Sequence, residues 1–235
     1  YMSIEANIKH ICELKDKAAE RSGRKGEDVL LVAVTKLHST DEINEAIDCG
    51  ITDIGENKVQ EIMDKYEKVK PVRWHLIGHL QTNKVKYIID KVAMIHSVDS
   101  LHLAKEIDKR ARQHGLVMDI LIQVNSAMEE SKFGITTEET GKMIDDILRE
   151  CPNIRIRGLM CIAPFEDNPD DARVYFAEVK KLYDEYAKVH HPNLDFKYLS
   201  MGMSNDFEVA VEEGSNLIRV GTSIFGARDY SKKMG

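Results

Sequence analysis

One amine, two clusters of small hydroxyl and glycine residues, and one arginine are spaced in this chain so that they could do chemistry together. Lys36 ends the apolar run Leu30-Leu-Val-Ala-Val-Thr35, which reads as a strand buried on both faces. In a parallel α/β fold the carboxyl ends of such strands are where ligands and chemistry collect. A lysine held there can lose its proton by desolvation and form an imine with an aldehyde. The plainer alternative is a lysine that caps the strand and reaches water.

Two later segments suit a phosphate. Leu199-Ser-Met-Gly-Met-Ser204 and Ile218-Arg-Val-Gly-Thr-Ser223 each leave a strand through glycine and small hydroxyl residues. Backbone N–H groups can approach an anion closely there, at the place where many barrels bind one. Gly202, Gly221 and Ser204 taken singly are also ordinary turn residues. A phosphate site and an imine-forming amine at one mouth point to pyridoxal 5′-phosphate. Arg219 would then set the electronics. A cationic partner favours the unprotonated pyridine ring and weakens carbanion stabilisation, whereas strong electron-sink enzymes place a carboxylate there. A phosphate ligand or a surface ion-pair partner are the alternatives for Arg219.

These residues need elements to position them. After an amphipathic opening helix at about 3–21, short apolar runs alternate with charged segments of helical period. The strands are expected at 30–36, 53–57, 74–78, 94–98, 119–125, 156–162, 196–201 and 217–220. Helix starts are marked by Ser39-Thr-Asp-Glu42 and Thr136-Thr-Glu-Glu139, and helix stops by Gly50, Gly115 and Gly214. Eight such units predict a closed (β/α)8 TIM barrel rather than an open doubly wound sheet. No GxGxxG or P-loop follows the first strand. The mouth should then carry Lys36, Asn57, His75, His79, Asp99, Asn125, Cys161, Ser200 and Arg219, above an interior filled by Val, Ile, Leu and Ala. The stretch 164–171 reads as one long loop.

Composition sets outer bounds. With 235 residues, 43% of them hydrophobic, the chain suits a single domain over 1–235. The net charge of −7 is mixed along the helices and offers no general attraction to nucleic acid or an anionic membrane. Cys12, Cys49, Cys151 and Cys161 lie far apart without a CxxC pair, so reduced thiols in the cytoplasm are expected. Nothing resembles a membrane span or a signal peptide. His75 and His79 lack the helix of an HExxH site, and no metal is expected. His190-His191 reads as the end of a helix, where positive charge suits the dipole. Lys132, in Ser131-Lys-Phe-Gly134, is a rival amine without an apolar strand beneath it. Met160, Met201 and Met203 are expected to pack.

The segments Ala33-Val-Thr-Lys36, Gly55-Glu-Asn57, His75-Leu-Ile-Gly-His-Leu-Gln-Thr-Asn-Lys84, Lys132-Phe-Gly134, Leu199-Ser-Met-Gly-Met-Ser204 and Arg219-Val-Gly-Thr222 closely resemble the pyridoxal phosphate homeostasis (YggS or PROSC) family. The likeness runs through nearly the whole chain in order. It implies the fold of the alanine racemase amino-terminal domain. By the same resemblance Lys36 is the aldimine lysine and Asn57 lies near the ring. Ser200, Ser204, Gly221 and Thr222 hold the phosphate, and Arg219 faces the pyridine nitrogen. Members bind the cofactor and influence vitamin B6 pools, without an established catalytic activity. A two-base racemase needs an acid/base on each face of the substrate imine. The related racemases draw one base from an added carboxyl-terminal domain, for which residues 227–235 leave no room. A monomeric reservoir or delivery protein is therefore expected, with no catalytic residues and with apo-enzymes as the implied recipients. The alternatives are a low-efficiency pyridoxal phosphate-dependent racemase or transaminase, and a barrel enzyme that forms an imine with a sugar phosphate.

Overall fold

A computed structural model describes residues 2–129 and 133–226. Lys132 and the stretch after residue 226 lie outside the described residues. Strands β1 (Leu30–Val34), β2 (Asp53–Glu56), β3 (Arg73–Leu76), β4 (Met94–Val98), β5 (Met118–Gln123), β6 (Ile154–Met160), β7 (Leu194–Ser200) and β8 (Leu217–Val220) pair in parallel in chain order. β8 returns to β1, with Val32 opposite Arg219, and closes the barrel. The predicted (β/α)8 architecture is the observed one. Helices α1 (Ile4–Arg21), α2 (Thr40–Asp48), α3 (Val59–Lys65), α4 (Val85–Ile88), α5 (Leu101–Gln113), α6 (Thr137–Glu150), α7 (Arg173–Ala187), α8 (Phe207–Glu212) and α9 (Thr222–Phe225) form the outer layer. The extra helix α1, capped by Ser3, packs on α8 and α9.

The helix-start signals act as their chemistry dictates. Ser39 and Glu42 exchange hydrogen bonds in a capping box at α2, and Thr136 and Glu139 do so at α6. Strand ends differ from expectation. β1 stops at Val34 and β2 at Glu56, so Lys36 and Asn57 sit in the turns just beyond. α7 stops at Ala187, three residues before His190. The two histidines therefore do not sit in its last turn, and His191 Nδ1 instead accepts from Asn193 N at 3.0 Å.

The interior also departs from expectation. Alternate residues of a barrel strand face opposite ways, and the Val, Ile, Leu and Ala that dominate the runs mostly face the helices. Ala33, Ile54, Leu76, Ile95, Ile120, Ile156, Leu199 and Ile218 belong to that large outer core. Inside lies a separate small apolar layer of Met94, Leu121 and Met160, against Tyr198. Val32 and Ile77, both packed over Gly55, add to the apolar interior, and the rest carries a polar array. Asp53, His75, His96, Ser200 and Arg219 are buried there and bonded to one another across the barrel.

Gly158 marks where β6 shifts register against both neighbours. Its φ is +149°, and a Cβ there would lie 1.7 Å from the Tyr198 carbonyl oxygen. Gly158→Ala is expected to cost about 3 kcal/mol or more of folding stability. An unchanged urea midpoint would show that β6 relaxes freely at this point.

Candidate functional site

The turn after β1 is held from beneath by buried charge. Lys36 is half-buried in that turn, and among the described residues its Nζ has no hydrogen-bond or ion-pair partner. Leu37 follows with φ +64°, a left-handed conformation that a bulky residue keeps only where its surroundings enforce it. Glu61 of α3 does so, accepting from Leu37 N at 2.9 Å. One turn further along α3, Lys65 Nζ donates to Glu61 Oε2 and Glu56 Oε2, each at 2.8 Å, and to the Thr35 carbonyl at 3.0 Å. Thr35 Oγ1 donates to the same Glu56 oxygen at 2.6 Å. Both backbone neighbours of Lys36 are thereby pinned.

This cluster contains two carboxyl groups and one ammonium, all buried. Burial, with the charge of Glu61, pushes Glu56 well above the usual carboxylate range against the pull of Lys65. Burial also raises Glu61, but the hydrogen bonds from Lys65 and Leu37 N–H hold it below its ordinary value. With the proton on Glu56 the cluster is neutral, the state a dry interior favours.

Asn57 occupies the next turn of the rim, tied to the first by Thr35 N donating to the Gly55 carbonyl at 3.1 Å. Gly78, in the loop after β3, lets this backbone approach. A Cβ at Gly78 would stand 2.5 Å from the Asn57 carbonyl oxygen. Lys36 and Asn57 thus lie on adjacent loops.

Beside the β1 end opens a cavity of about 270 Å³, lined by Val34, Met203, Ser204, Asn205, Asp206, Arg219, Gly221 and Thr222, with Ile162 and Phe165 on its lip. Ser204 Oγ accepts from Gly221 N at 3.3 Å and Ser223 N at 3.4 Å, which links the loops after β7 and β8. Among the described residues, the backbone N–H groups of Ser204, Asn205 and Thr222 have no acceptor. Three such donors in one concavity suit an anion. Asp206 turns away, accepting from Met203 N at 2.8 Å.

Arg219 forms the floor. The residue is 3% exposed, and its guanidinium donates to Ser200 Oγ and, at 3.0 Å, to the Cys161 carbonyl. No carboxylate among the described residues lies within ion-pair distance of it. Burial pulls its pKa down, opposed by the neighbouring Cys161 and Asp206. Arginine nevertheless stays cationic at neutral pH, so this is a fixed charge in a dry place with donor capacity to spare.

The chain matches the family model of the alanine racemase N-terminal domain over residues 7–229. A pyridoxal phosphate homeostasis protein of Aquifex aeolicus is 44% identical over 231 residues, which is 97% of this chain and 100% of that protein. The chain belongs to this family. PipY of Synechococcus elongatus, solved with pyridoxal phosphate bound, superposes with a TM-score of 0.77 at 33% identity, covering 89% of this chain and all of that one. An unknown protein from Bifidobacterium adolescentis gives a TM-score of 0.89 at 33% identity over 94% of both chains.

Several residues expected at the mouth of this family member do not line the cavity. His75 is inside the barrel, bonded to Asp53 and His96. Ser200 is fully buried beneath Arg219 and does not line the cavity. Cys161 contributes its carbonyl, while burial pushes its thiol up to about 12. Asp99 accepts from Gly134 N at 3.1 Å and Asn125 Nδ2 donates to the Glu129 carbonyl at 2.8 Å, so both organise the loop after β5. His79 stacks on Phe133 of that loop, with ring centroids 3.9 Å apart.

Glu56, Glu61, Lys65 and His96 escaped the reading of the sequence. A Glu at i and a Lys at i+4 on α3 look like any solvated helix pair. The informative sign was Glu56, a carboxylate in a short strand that is buried along its whole length.

The two kinds of lesion in the Lys65 cluster should separate cleanly. Lys65→Met leaves two carboxyl groups buried together and is expected to cost about 3–5 kcal/mol. Glu56→Gln keeps the cluster neutral and should cost less than about 1 kcal/mol. Equal losses in chemical denaturation would contradict the charge assignment.

Proposed function

We propose that this chain binds pyridoxal 5′-phosphate as a Schiff base on Lys36 and holds it in reserve for apo-enzymes, as a carrier of vitamin B6 homeostasis rather than a turnover catalyst. The observation that carries the reading is Arg219. A buried guanidinium without a carboxylate is costly unless an acceptor completes it, and the pyridine nitrogen is such an acceptor. The free N–H groups of Ser204, Asn205 and Thr222, with the Ser204 hydroxyl, suit the phosphate. Lys36 would supply the amine that holds the cofactor's aldehyde. Gly221 lets the last loop pass close to β1, and Asn57 borders the ring from the second. Ser200 contributes through Arg219.

The relatives named for pyridoxal phosphate homeostasis and the cofactor held by PipY support this reading. The cavity wall supports a carrier. Its titratable side chains among the described residues are Asp206, engaged with Met203 N, and Arg219. Two-base racemisation needs a positioned base besides the imine lysine. An arginine at the ring nitrogen also withholds the protonation that stabilises a carbanion. When bound, the cofactor supplies an electrophilic aldehyde for exchange with amines. We further propose a cytoplasmic monomer. Four free thiols support a reducing compartment, and no described helix is long and apolar enough to cross a membrane. Sedimentation with and without cofactor tests the monomer.

Reconstituted protein should absorb in the visible. Lys36→Ala should abolish that band and leave folding stability within about 0.5 kcal/mol, since the side chain is half-exposed and unpaired. Arg219→Glu should shift the band by raising ring basicity. Retention of the band in Lys36→Ala would move the linkage to another amine, and steady turnover of an amino acid by the parent protein would replace the carrier with an enzyme.

A further inference from the structure

The described chemistry leaves one buried polar array unused. Asp53 stands at the start of β2, beside the far end of the barrel from the mouth. Arg73, its strand neighbour with a largely exposed side chain, holds it from solvent at 2.7 and 3.0 Å, and Thr52 Oγ1 donates to it at 2.7 Å. From there Asp53 Oδ2 meets His75 Nε2 at 2.7 Å, His75 Nδ1 meets His96 Nε2 at 2.8 Å, and His96 Nδ1 meets Ser200 Oγ at 3.1 Å. Ser200 Oγ in turn accepts from Arg219. Five side chains from five strands thus run from the lower rim to the floor of the cofactor cavity.

The hydrogens in this chain have one arrangement that satisfies them all. Asp53 only accepts, so His75 Nε2 donates. Neutral His75 then accepts at Nδ1, His96 donates from Nε2 and accepts at Nδ1, and the Ser200 hydroxyl donates downward. That leaves a Ser200 lone pair for Arg219. A charged His75 would reverse the direction of every bond above it. Ser200 would then accept from both sides, and its own hydrogen, fully buried, would have no acceptor among the described residues. Burial, with the fixed charge of Arg219, drives the pKa of His96 far down, so His96 is neutral in either arrangement and the hydrogen count alone decides between them.

We propose that Asp53, His75, His96 and Ser200 are positioning residues for Arg219, a directional hydrogen-bond chain that aims the guanidinium at the cofactor ring. The proposal rests on Arg219 contacting that ring. Aligned hydrogen bonds polarise one another, so the carboxylate four bonds away steadies the guanidinium without neutralising it at contact distance. An adjacent carboxylate would instead compete with the ring for the same N–H groups.

Imidazole ¹⁵N NMR on the unliganded protein tests the chain without any cofactor. His75 and His96, assigned by His75→Gln and His96→Gln, should both be neutral Nε2–H tautomers at pH 7. Nδ1–H on His96, or a charged His75, overturns the proposal. In reconstituted protein, Asp53→Asn and Ser200→Ala should each shift the visible band and raise the cofactor dissociation rate about two- to tenfold, the size of coupling within one network. The double variant should do no more than the larger single one. Met160→Leu, in the apolar layer beside the chain, should leave both readouts unchanged. Additive losses, or an Asp53→Asn protein with the parent spectrum, overturn the positioning role. If Asp53→Asn does not fold, His75→Gln replaces it with the same expectations. A failure of the Lys36 linkage would leave the tautomer result standing, so the two readings fail separately.

Discussion

Taking the Arg219 guanidinium out of water costs several kcal/mol that two hydrogen bonds, to Ser200 and to the Cys161 carbonyl, only partly offset. Proteins ordinarily resolve such a cost with a carboxylate in contact. Here the nearest solution is indirect, through Ser200 and two histidines to Asp53, and the guanidinium keeps unspent donors toward the cavity. Much of the barrel follows from that arrangement. Its interior carries a buried polar array beside a small apolar layer, where a filled barrel is usually apolar throughout, and most of its hydrophobic core lies outward, between strands and helices.

A second buried charge cluster serves the other half of the site. Lys36 is on a turn whose backbone would not stay left-handed at Leu37 without Glu61 beneath it, and Glu61 stays in place because Lys65 ties it to Glu56 and Thr35. The turn after β1 carries the lysine and β8 the arginine, and the pairing of the two strands, Val32 opposite Arg219, fixes their spacing. The lysine is thus free at its tip and rigid at its root. That combination suits reversible capture of an aldehyde, because the amine loses little freedom on reacting.

The strands were readable because each is a short apolar run bounded by turn residues, and eight in series admit few topologies. Residues on the rim, such as Ser204, Gly221 and Thr222, were readable because the mouth of a barrel is a known place in the chain's geometry. Pairings across the barrel were not. His96 sits in Met94-Ile-His-Ser-Val98 with nothing local to show that it meets His75 and Ser200. Ser200 was expected among the phosphate ligands by family resemblance, and as a strand residue it is buried against Arg219, where the loop residue Ser204 lines the cavity. Inward and outward faces were also not separable by composition alone in strands buried on both sides.

The proposed Schiff base on Lys36 is tested most directly by finding which amine takes up the cofactor. Protein loaded with pyridoxal phosphate, reduced with borohydride, digested and mapped by mass spectrometry should bear the pyridoxyl adduct on the peptide containing Lys36, at one equivalent per chain. An adduct confined to Lys132 or to another lysine, or no adduct after reduction of protein saturated with cofactor, would contradict it.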